Sequence, residues 1–376
     1  MFNKNSLKNL DYILIADILI IMGLSLFVLS SATVNIASDP LFFVKKHLFS
    51  IGLGVVCAII IIAFDYSILL KYYHYIYGLT IILLLVVQAR GFASHGAQQW
   101  ISLGPFVLQP SEIAKVMMII CFASFLVKRQ GEMKTLKDLL PPVAYFSVPL
   151  LLILAQSDLG TALVFLAILF GMLYIAGANS KLLLGIIVTG LSVAVIAIAL
   201  HLSPLQLPLP LKDHQINRLI VFIDPYQDPH GTGWNIIQSL VAIGSGGLWG
   251  KGLYHGTQVQ LNFLPEHHTD FIFSVVGEEL GFVGTGFVLL LYFCLISRSI
   301  RVAFRARDLY GRLIVGGVTC MWLFHIFENI GMTIGLMPVT GIPLPFLSYG
   351  GSFMLTNLIA VGLILNVQVH RENLLF

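Results

Sequence analysis

The sequence predicts an all-α polytopic membrane protein with ten transmembrane helices and one large extracytoplasmic loop between the seventh and the eighth. Three observations carry that expectation. Hydrophobic residues make up 57% of the 376 and charged residues only 10%, where a soluble domain carries about a quarter charged. Apolar runs of roughly 20 residues, the length that crosses a hydrocarbon core, recur along the chain. The runs are continuous, which excludes a membrane β-barrel, whose strands alternate over about 10 residues.

The runs place spans at 12–33, 48–66, 68–89, 111–128, 141–156, 159–177, 181–202, 271–297, 312–336 and 346–368. The first is too long for a signal-peptide core and is expected to stay as an anchor. The fifth and sixth are divided only by Gln156-Ser157-Asp158, which reads as a tight turn closed by the aspartate. Lysine and arginine set the orientation. With the N-terminus inside, 14 of the 21 basic residues face the cytoplasm, 6 face outward and Lys115 lies within a span. An even number of spans then leaves both termini cytoplasmic. The whole chain, 1–376, reads as one transmembrane domain.

Two outer segments are long enough to carry function, 90–110 and 203–270. The second opens on Pro204, Pro208 and Pro210, and 234–240 reads as a short amphipathic helix in the interface. No internal repeat is visible, so the inverted-repeat signature of many transporters is lacking. The net charge of +3 includes no basic block that would suit nucleic acid. Cys57, Cys121, Cys294 and Cys320 all lie in apolar runs with no close pair, and read as packing residues.

Ionisable residues inside spans are costly and need a reason. Glu112 and Lys115 stand three apart, on one helical face, and read either as an ion pair joining helices or as catalytic groups. Glu328 and Asn329 read as interhelical hydrogen-bond formers. Glu278 and Glu279 point about 100° apart on a helix, so at most one shares a line with Asp270. Asp17 reads as a polar contact near the inner surface.

The densest polar stretch is 263–271, with Glu266, His267, His268, Thr269 and Asp270 ahead of the eighth span. Taken alone, Thr269 or Asp270 would be an N-cap. Two carboxylates and two histidines at one membrane face also suit proton transfer or a metal, although their spacing matches no standard zinc pattern. The glycine-rich run 244–252 resembles a phosphate loop in composition but fails the G-x-x-x-x-G-K-[ST] order, because Gly252 follows Lys251. Its backbone N–H groups with Lys251 could hold a diphosphate, or the run could be a flexible turn. The stretch 337–345 has three prolines and no charge, and reads as a rigid re-entrant edge or a stiff connection.

Several of these stretches resemble the SEDS family of shape, elongation, division and sporulation proteins. They are Ile237-Gln238-Ser239 through Gly244-Ser245-Gly246-Gly247, then Gly250-Lys251-Gly252, Gly256-Thr257-Gln258 and Phe263-Leu264-Pro265-Glu266 to His268-Thr269-Asp270-Phe271. Gly277-Glu278-Glu279-Leu280-Gly281, Gln109-Pro110-Ser111-Glu112 with Lys115, Asp158-Leu159-Gly160-Thr161, 338–345 and Ser348-Tyr349-Gly350-Gly351-Ser352 match as well. The resemblance covers nearly the whole chain. Residues 256–263 look like the RodA, or elongation, branch; the FtsW division branch usually differs there.

The resemblance implies a peptidoglycan glycosyltransferase of the bacterial inner membrane that polymerises lipid II at the outer face, for elongation and rod shape. It implies a class B penicillin-binding protein as partner, within an elongation complex of membrane proteins. Asp270 matches the family's essential aspartate, expected as general base or as ligand of a divalent cation, Mg²⁺ or Mn²⁺. Arg218, Lys251, Gln258, Glu266 and His268 are the expected substrate-binding residues. Glu112 and Lys115 match the family's buried pair, and Asp158 and Glu279 are further polar positions. Two departures stand out. Gln99 occupies the place of the usual arginine in Gly96-Ala97-Gln98-Gln99-Trp100, and Ser157 that of a usual proline before Asp158. A lipid II flippase and a scaffold for the transpeptidase are the rival readings. The concentration of polar residues at the outer face favours an enzyme.

Overall fold

The computed structural model describes residues 10–36, 38–94, 97–104, 106–202, 212–229 and 231–371. The proline cluster Pro204, Pro208 and Pro210 lies outside them, as do Lys4, Lys8 and Gly96. The helices are α1 (Tyr12–Thr33), α2 (Phe42–Ala63), α3 (Ser67–Arg90), α4 (Pro110–Val127), α5 (Leu136–Ala155), α6 (Leu159–Ile175) and α7 (Ser180–Leu202). After them come α8 (Asp213–Ile223), α9 (Thr232–Gly246), α10 (Thr257–Gln260), α11 (Ile272–Phe304), α12 (Leu309–Thr333) and α13 (Gly351–Val369).

Among the described residues nine helices are long and apolar enough to cross a membrane, and α6 is a shorter apolar helix of 17 residues. At about 1.5 Å per residue α6 reaches roughly 26 Å, a little under the ~30 Å hydrocarbon core. It is nonetheless central, packed against α12. The interior of the bundle is α4, α12 and α13, whose spanning windows are 83%, 72% and 94% buried. Helix α7 is the opposite case at 6%. Close packing depends on small residues: a Cβ on Gly54 of α2 would stand 2.8 Å from Leu358 Cβ, and one on Gly362 of α13 would stand 2.9 Å from Ala58 Cα.

Caps set boundaries that hydropathy does not register. Asp308 accepts from the Gly311 N–H at 2.7 Å, so α12 starts three residues before the expected 312. Asp11 caps α1 through the Leu14 N–H at 3.1 Å and also takes the Arg298 guanidinium, at 2.9 Å from Nε. Helix α2 begins at Phe42 instead of 48, which draws Lys45 and Lys46 into its first turns, Lys45 pairing with Asp39 at 2.7 Å. The last span begins at Gly351, five residues later than expected, because 346–350 form a turn with Phe346 at φ +62°.

The two outer segments are structured. Three strands, β1 (Phe92–Ser94), β2 (Ala97–Leu103) and β3 (Phe106–Leu108), form an antiparallel sheet in order β1-β2-β3. Its register pairs Phe92 with Trp100 and Ile101 with Leu108. Ser352 at the start of α13 ties it down, donating to the Val107 carbonyl at 3.1 Å. Beyond 212 the long loop folds into α8, α9 and α10. Helix α9 is twice the length expected for 234–240 and packs on α11, where Ser239 and Ser274 hydroxyls meet at 2.6 Å.

Helix α11 is broken at Gly281 (φ +65°, ψ −163°). The glycine-rich loop completes the break. Lys251 N–H donates to Glu278 O at 3.0 Å and Gly252 N–H to Glu279 O at 2.9 Å. In the other direction, Phe282 and Val283 N–H donate to Gly247 and Leu248 carbonyls at 2.9 and 3.1 Å. The run reserved for a phosphate therefore spends these backbone groups on satisfying an interrupted helix, whose freed polar groups would otherwise be buried unpaired.

Candidate active site

A cavity of about 1180 Å³ opens between α4, α6, α7, α8, the start of α11 and the 338–343 segment. Its polar wall holds Asp270, Glu266, Arg218, Asp158, Glu112 and His325, with Gln99, Gln109 and Ser352 beside them. Its apolar wall comes from α6, α7 and α8, including Leu163, Leu191, Val195, Ile198, Leu219 and Phe222. A pocket with one polar and one greasy side suits an amphipathic ligand.

Asp270 is not the N-cap of α11. That position belongs to Phe271, whose side chain makes no capping hydrogen bond. Asp270 instead closes a turn made by Glu266 (φ +49°), whose carbonyl accepts from Asp270 and Phe271 N–H at 3.0 and 3.2 Å. The Asp270 carbonyl is held by Asn329 Nδ2 at 2.7 Å, and Ser348 Oγ donates to the Thr269 carbonyl at 2.6 Å. The backbone of Asp270 is thus clamped from two elements while its carboxylate borders the cavity.

The proline-rich segment forms the facing edge. Gly341 (φ +75°) lies so near that an added Cβ would stand 3.1 Å from Asp270 Oδ2. Arg218 Nη1 donates to the Thr340 carbonyl at 3.3 Å. Three residues on one face of α12 grip the segment. His325 Nδ1 meets Pro343 O at 3.1 Å, Thr340 Oγ1 donates to Glu328 Oε1 at 2.8 Å, and Asn329 Nδ2 donates to Ile342 O at 2.8 Å. The interhelical role expected for Glu328 and Asn329 is thus filled by backbone and a threonine of a non-helical segment.

The Glu112–Lys115 pair forms at 2.8 Å, with both side chains at most 4% exposed. Lys115 Nζ also lies 3.0 Å from His325 Nε2. Glu112 turns its second oxygen, Oε2, inward without a hydrogen-bond partner, as Asp158 does with Oδ2. Asp158 does cap α6, accepting from the Thr161 N–H at 2.9 Å. Burial pushes its carboxyl above the usual range, against the lowering effect of that bond. In the turn before it Ser157 adopts φ +63°, a conformation closed to the proline usual at that place in the family pattern. Gln99 accepts from Gln109 Nε2 at 2.9 Å, a contact between two neutral amides.

Lys115, Lys251, Gln258, His268 and Glu279 do not line the cavity. Lys251 pairs with Glu278 at 2.7 Å and donates to Thr257 Oγ1 at 2.8 Å. The Gln258 N–H donates to the same Glu278 oxygen at 3.0 Å, and Glu279 accepts from Ser31 Oγ at 2.6 Å. His268 stacks with Phe43 and Tyr349, ring centroids 5.1 and 5.8 Å away. Burial first, then neighbouring His267, pushes His268 down to about 4. Among the described residues no three His, Cys, Asp or Glu side chains converge closely enough to hold a metal ion. All four cysteines are free thiols.

His325 escaped sequence reasoning. The available signal was its spacing: His325, Glu328 and Asn329 stand at i, i+3 and i+4 in an otherwise apolar run.

Comparison with known proteins places this architecture. A family model for cell cycle proteins, FTSW_RODA_SPOVE, matches residues 9–373. The peptidoglycan glycosyltransferase MrdB of Escherichia coli K12 is 38% identical over 374 residues, 99% of this chain and 98% of that one. The peptidoglycan glycosyltransferase RodA of Treponema pallidum is 33% identical, over 97% and 98%. Among solved structures, the rod shape determining protein RodA of Thermus thermophilus superposes with a TM-score of 0.70 at 29% identity, covering 97% and 98%. A chain from a structure described as "Structural coordination of polymerization and crosslinking by a peptidoglycan synthase complex" reaches 0.80 at 30%, covering 96% and 99%. This multi-span membrane protein belongs to the FtsW, RodA and SpoVE family of cell cycle proteins, the SEDS family.

Proposed function

We propose that the chain is a peptidoglycan glycosyltransferase of the RodA type, polymerising lipid II at the outer face of the inner membrane. The observation that carries the reading is the cavity in which Asp270 and Arg218 share a polar wall opposite the greasy faces of α6, α7 and α8. The polar wall suits sugars and diphosphate, and the apolar wall a polyprenyl tail. The near-complete coverage of MrdB and RodA supports the same activity.

In this reading the growing strand is the donor, its terminal MurNAc joined through diphosphate to the lipid. Lipid II is the acceptor through the 4-hydroxyl of its GlcNAc. The Asp270 carboxylate takes the hydroxyl proton as the oxygen attacks C1. The new C1–O bond forms as the C1–O(phosphate) bond breaks, and its electron pair leaves with the diphosphate. One displacement converts the α-linked donor into a β-1,4 linkage without a covalent enzyme intermediate. Arg218, 3.3 Å from the Thr340 carbonyl, is the cation placed to meet the departing charge.

The cytoplasmic location of both termini and a class B penicillin-binding partner belong to the same proposal. The synthase complex among the structural relatives supports the partner. The test is a reconstitution with labelled lipid II and that partner, with moenomycin present to silence contaminating polymerases. Glycan ladders that vanish with Asp270→Asn establish the reading. No ladder from intact protein and partner overturns it in favour of transport, and a liposome flipping assay then decides.

A further inference from the structure

We propose that His325 is a positioning residue for the transfer reaction. It couples the buried Glu112–Lys115 pair to the segment that walls Asp270. The proposal rests on the glycosyltransferase reading above.

Both ring nitrogens of His325 are committed, and their partners dictate its protonation. Pro343 O can only accept, so Nδ1, 3.1 Å away, carries the hydrogen. The Lys115 ammonium can only donate, so Nε2, 3.0 Å away, presents its lone pair. The imidazole is therefore neutral, in the Nδ1–H tautomer, and reads as a bridge: Glu112 carboxylate, Lys115 ammonium, His325 ring, Pro343 carbonyl. His325 is 1% exposed, and its ring lies against Phe353, centroids 5.1 Å apart.

The far end of the bridge is the important one. Pro343 belongs to the stretch whose Thr340 carbonyl receives Arg218 and whose Gly341 abuts Asp270 Oδ2. Glu328 and Asn329 hold that stretch too, but their hydrogen bonds run only to it and to the Asp270 carbonyl. Of the three gripping residues, His325 is the one that also touches the charge pair. It fixes the distance between a helix α4 ion pair and the wall against which the base and the cation are set.

The chemistry of the bridge predicts which substitutes work. Glutamine at 325 supplies an acceptor for Lys115 and a donor for Pro343 O from one side chain. Asparagine offers the same groups one methylene short and reaches only one partner. Leucine supplies neither. Misplacement of a catalytic geometry by about 1 Å costs on the order of 10²-fold.

The experiment measures kcat and KM for lipid II with His325→Gln, His325→Asn and His325→Leu, each assembled with the class B partner and checked by thermal unfolding. The expected result is kcat within about threefold of wild type for Gln, and a loss on the order of 10²-fold for Asn and Leu, with KM unchanged. Should the Leu protein not fold, Gln against Asn decides. A Leu or Asn variant with wild-type kcat overturns the proposal, as does a Gln variant as impaired as Asn. A wild-type protein that makes no glycan overturns the glycosyltransferase reading instead, so the two failures are distinct.

Discussion

Two lysine–glutamate pairs in this molecule differ in what surrounds them. Lys251 stands 2.7 Å from Glu278, and Lys115 stands 2.8 Å from Glu112. Around the first, the glycine-rich loop and the break at Gly281 exchange N–H and carbonyl groups. Glu278 Oε1 alone takes Lys251, Thr257 and the Gln258 N–H. Around the second, Glu112 opens on the cavity and Lys115 has a histidine for its other partner. The same residue types thus build a structural clasp in one place and a wall of a reaction chamber in the other. The difference lies in whether a cavity meets the charge.

The sharpest test of the contrast is at the chamber. Asp270→Asn keeps the side-chain volume and removes the base, so polymerisation should fall at least about 10²-fold in kcat, with the unfolding midpoint unmoved. At the clasp the effects should reverse. Lys251→Met leaves Glu278 buried without its cation and should cost about 2–3 kcal/mol, less than a fully buried pair because Lys251 is 26% exposed. Folded Lys251→Met should still polymerise at the wild-type rate. A raised KM for lipid II with unchanged stability would make Lys251 a substrate ligand and erase the distinction.

Gly281→Ala probes the break itself. An added Cβ would meet the Gly250 nitrogen and stand 2.7 Å from Leu248 O, at φ +65°, so a loss of about 1–3 kcal/mol is expected in a denaturation series. The last test concerns His268, whose effect is confined to acid pH. Its pKa is lowered to about 4 in the folded protein and lies near 6.5 when unfolded. The neutral form is the one the fold favours. Its contribution is therefore complete above pH 6.5 and is lost as pH falls toward about 4. Thermal melts of His268→Gln should be flatter than wild type across that window; identical slopes would contradict it.

Much of the fold was legible because spanning helices need long apolar runs, and nine of the ten expected runs became helices of spanning length. What hydropathy missed were the ends, set by Asp308 and the 346–350 turn, and the break at Gly281, since a positive φ leaves no trace in an apolarity profile. The site was legible in part for a similar reason. Charge stands out in an apolar sequence, which singled out Glu112, Asp158 and the polar stretch with Glu266 and Asp270, while Arg218 came from the family resemblance; the structure sets all five along the cavity. Lys251, Gln258, His268 and Glu279 stood out equally, and the structure sets them off the cavity.

Composition and spacing within one helix suffice to put the chain in a bilayer, to locate its charged residues and to let Glu112 and Lys115 pair. Which charges face a common cavity is settled by packing. That depends on residues 59 to 210 positions apart in the chain: Asp270 meets Gly341 and Asn329, and Lys115 meets His325. Packing also decided that a glycine-rich loop serves a broken helix and not a phosphate, because the partner that occupies its N–H groups belongs to another element. Local chemistry names the groups that need a partner, and packing chooses the partner.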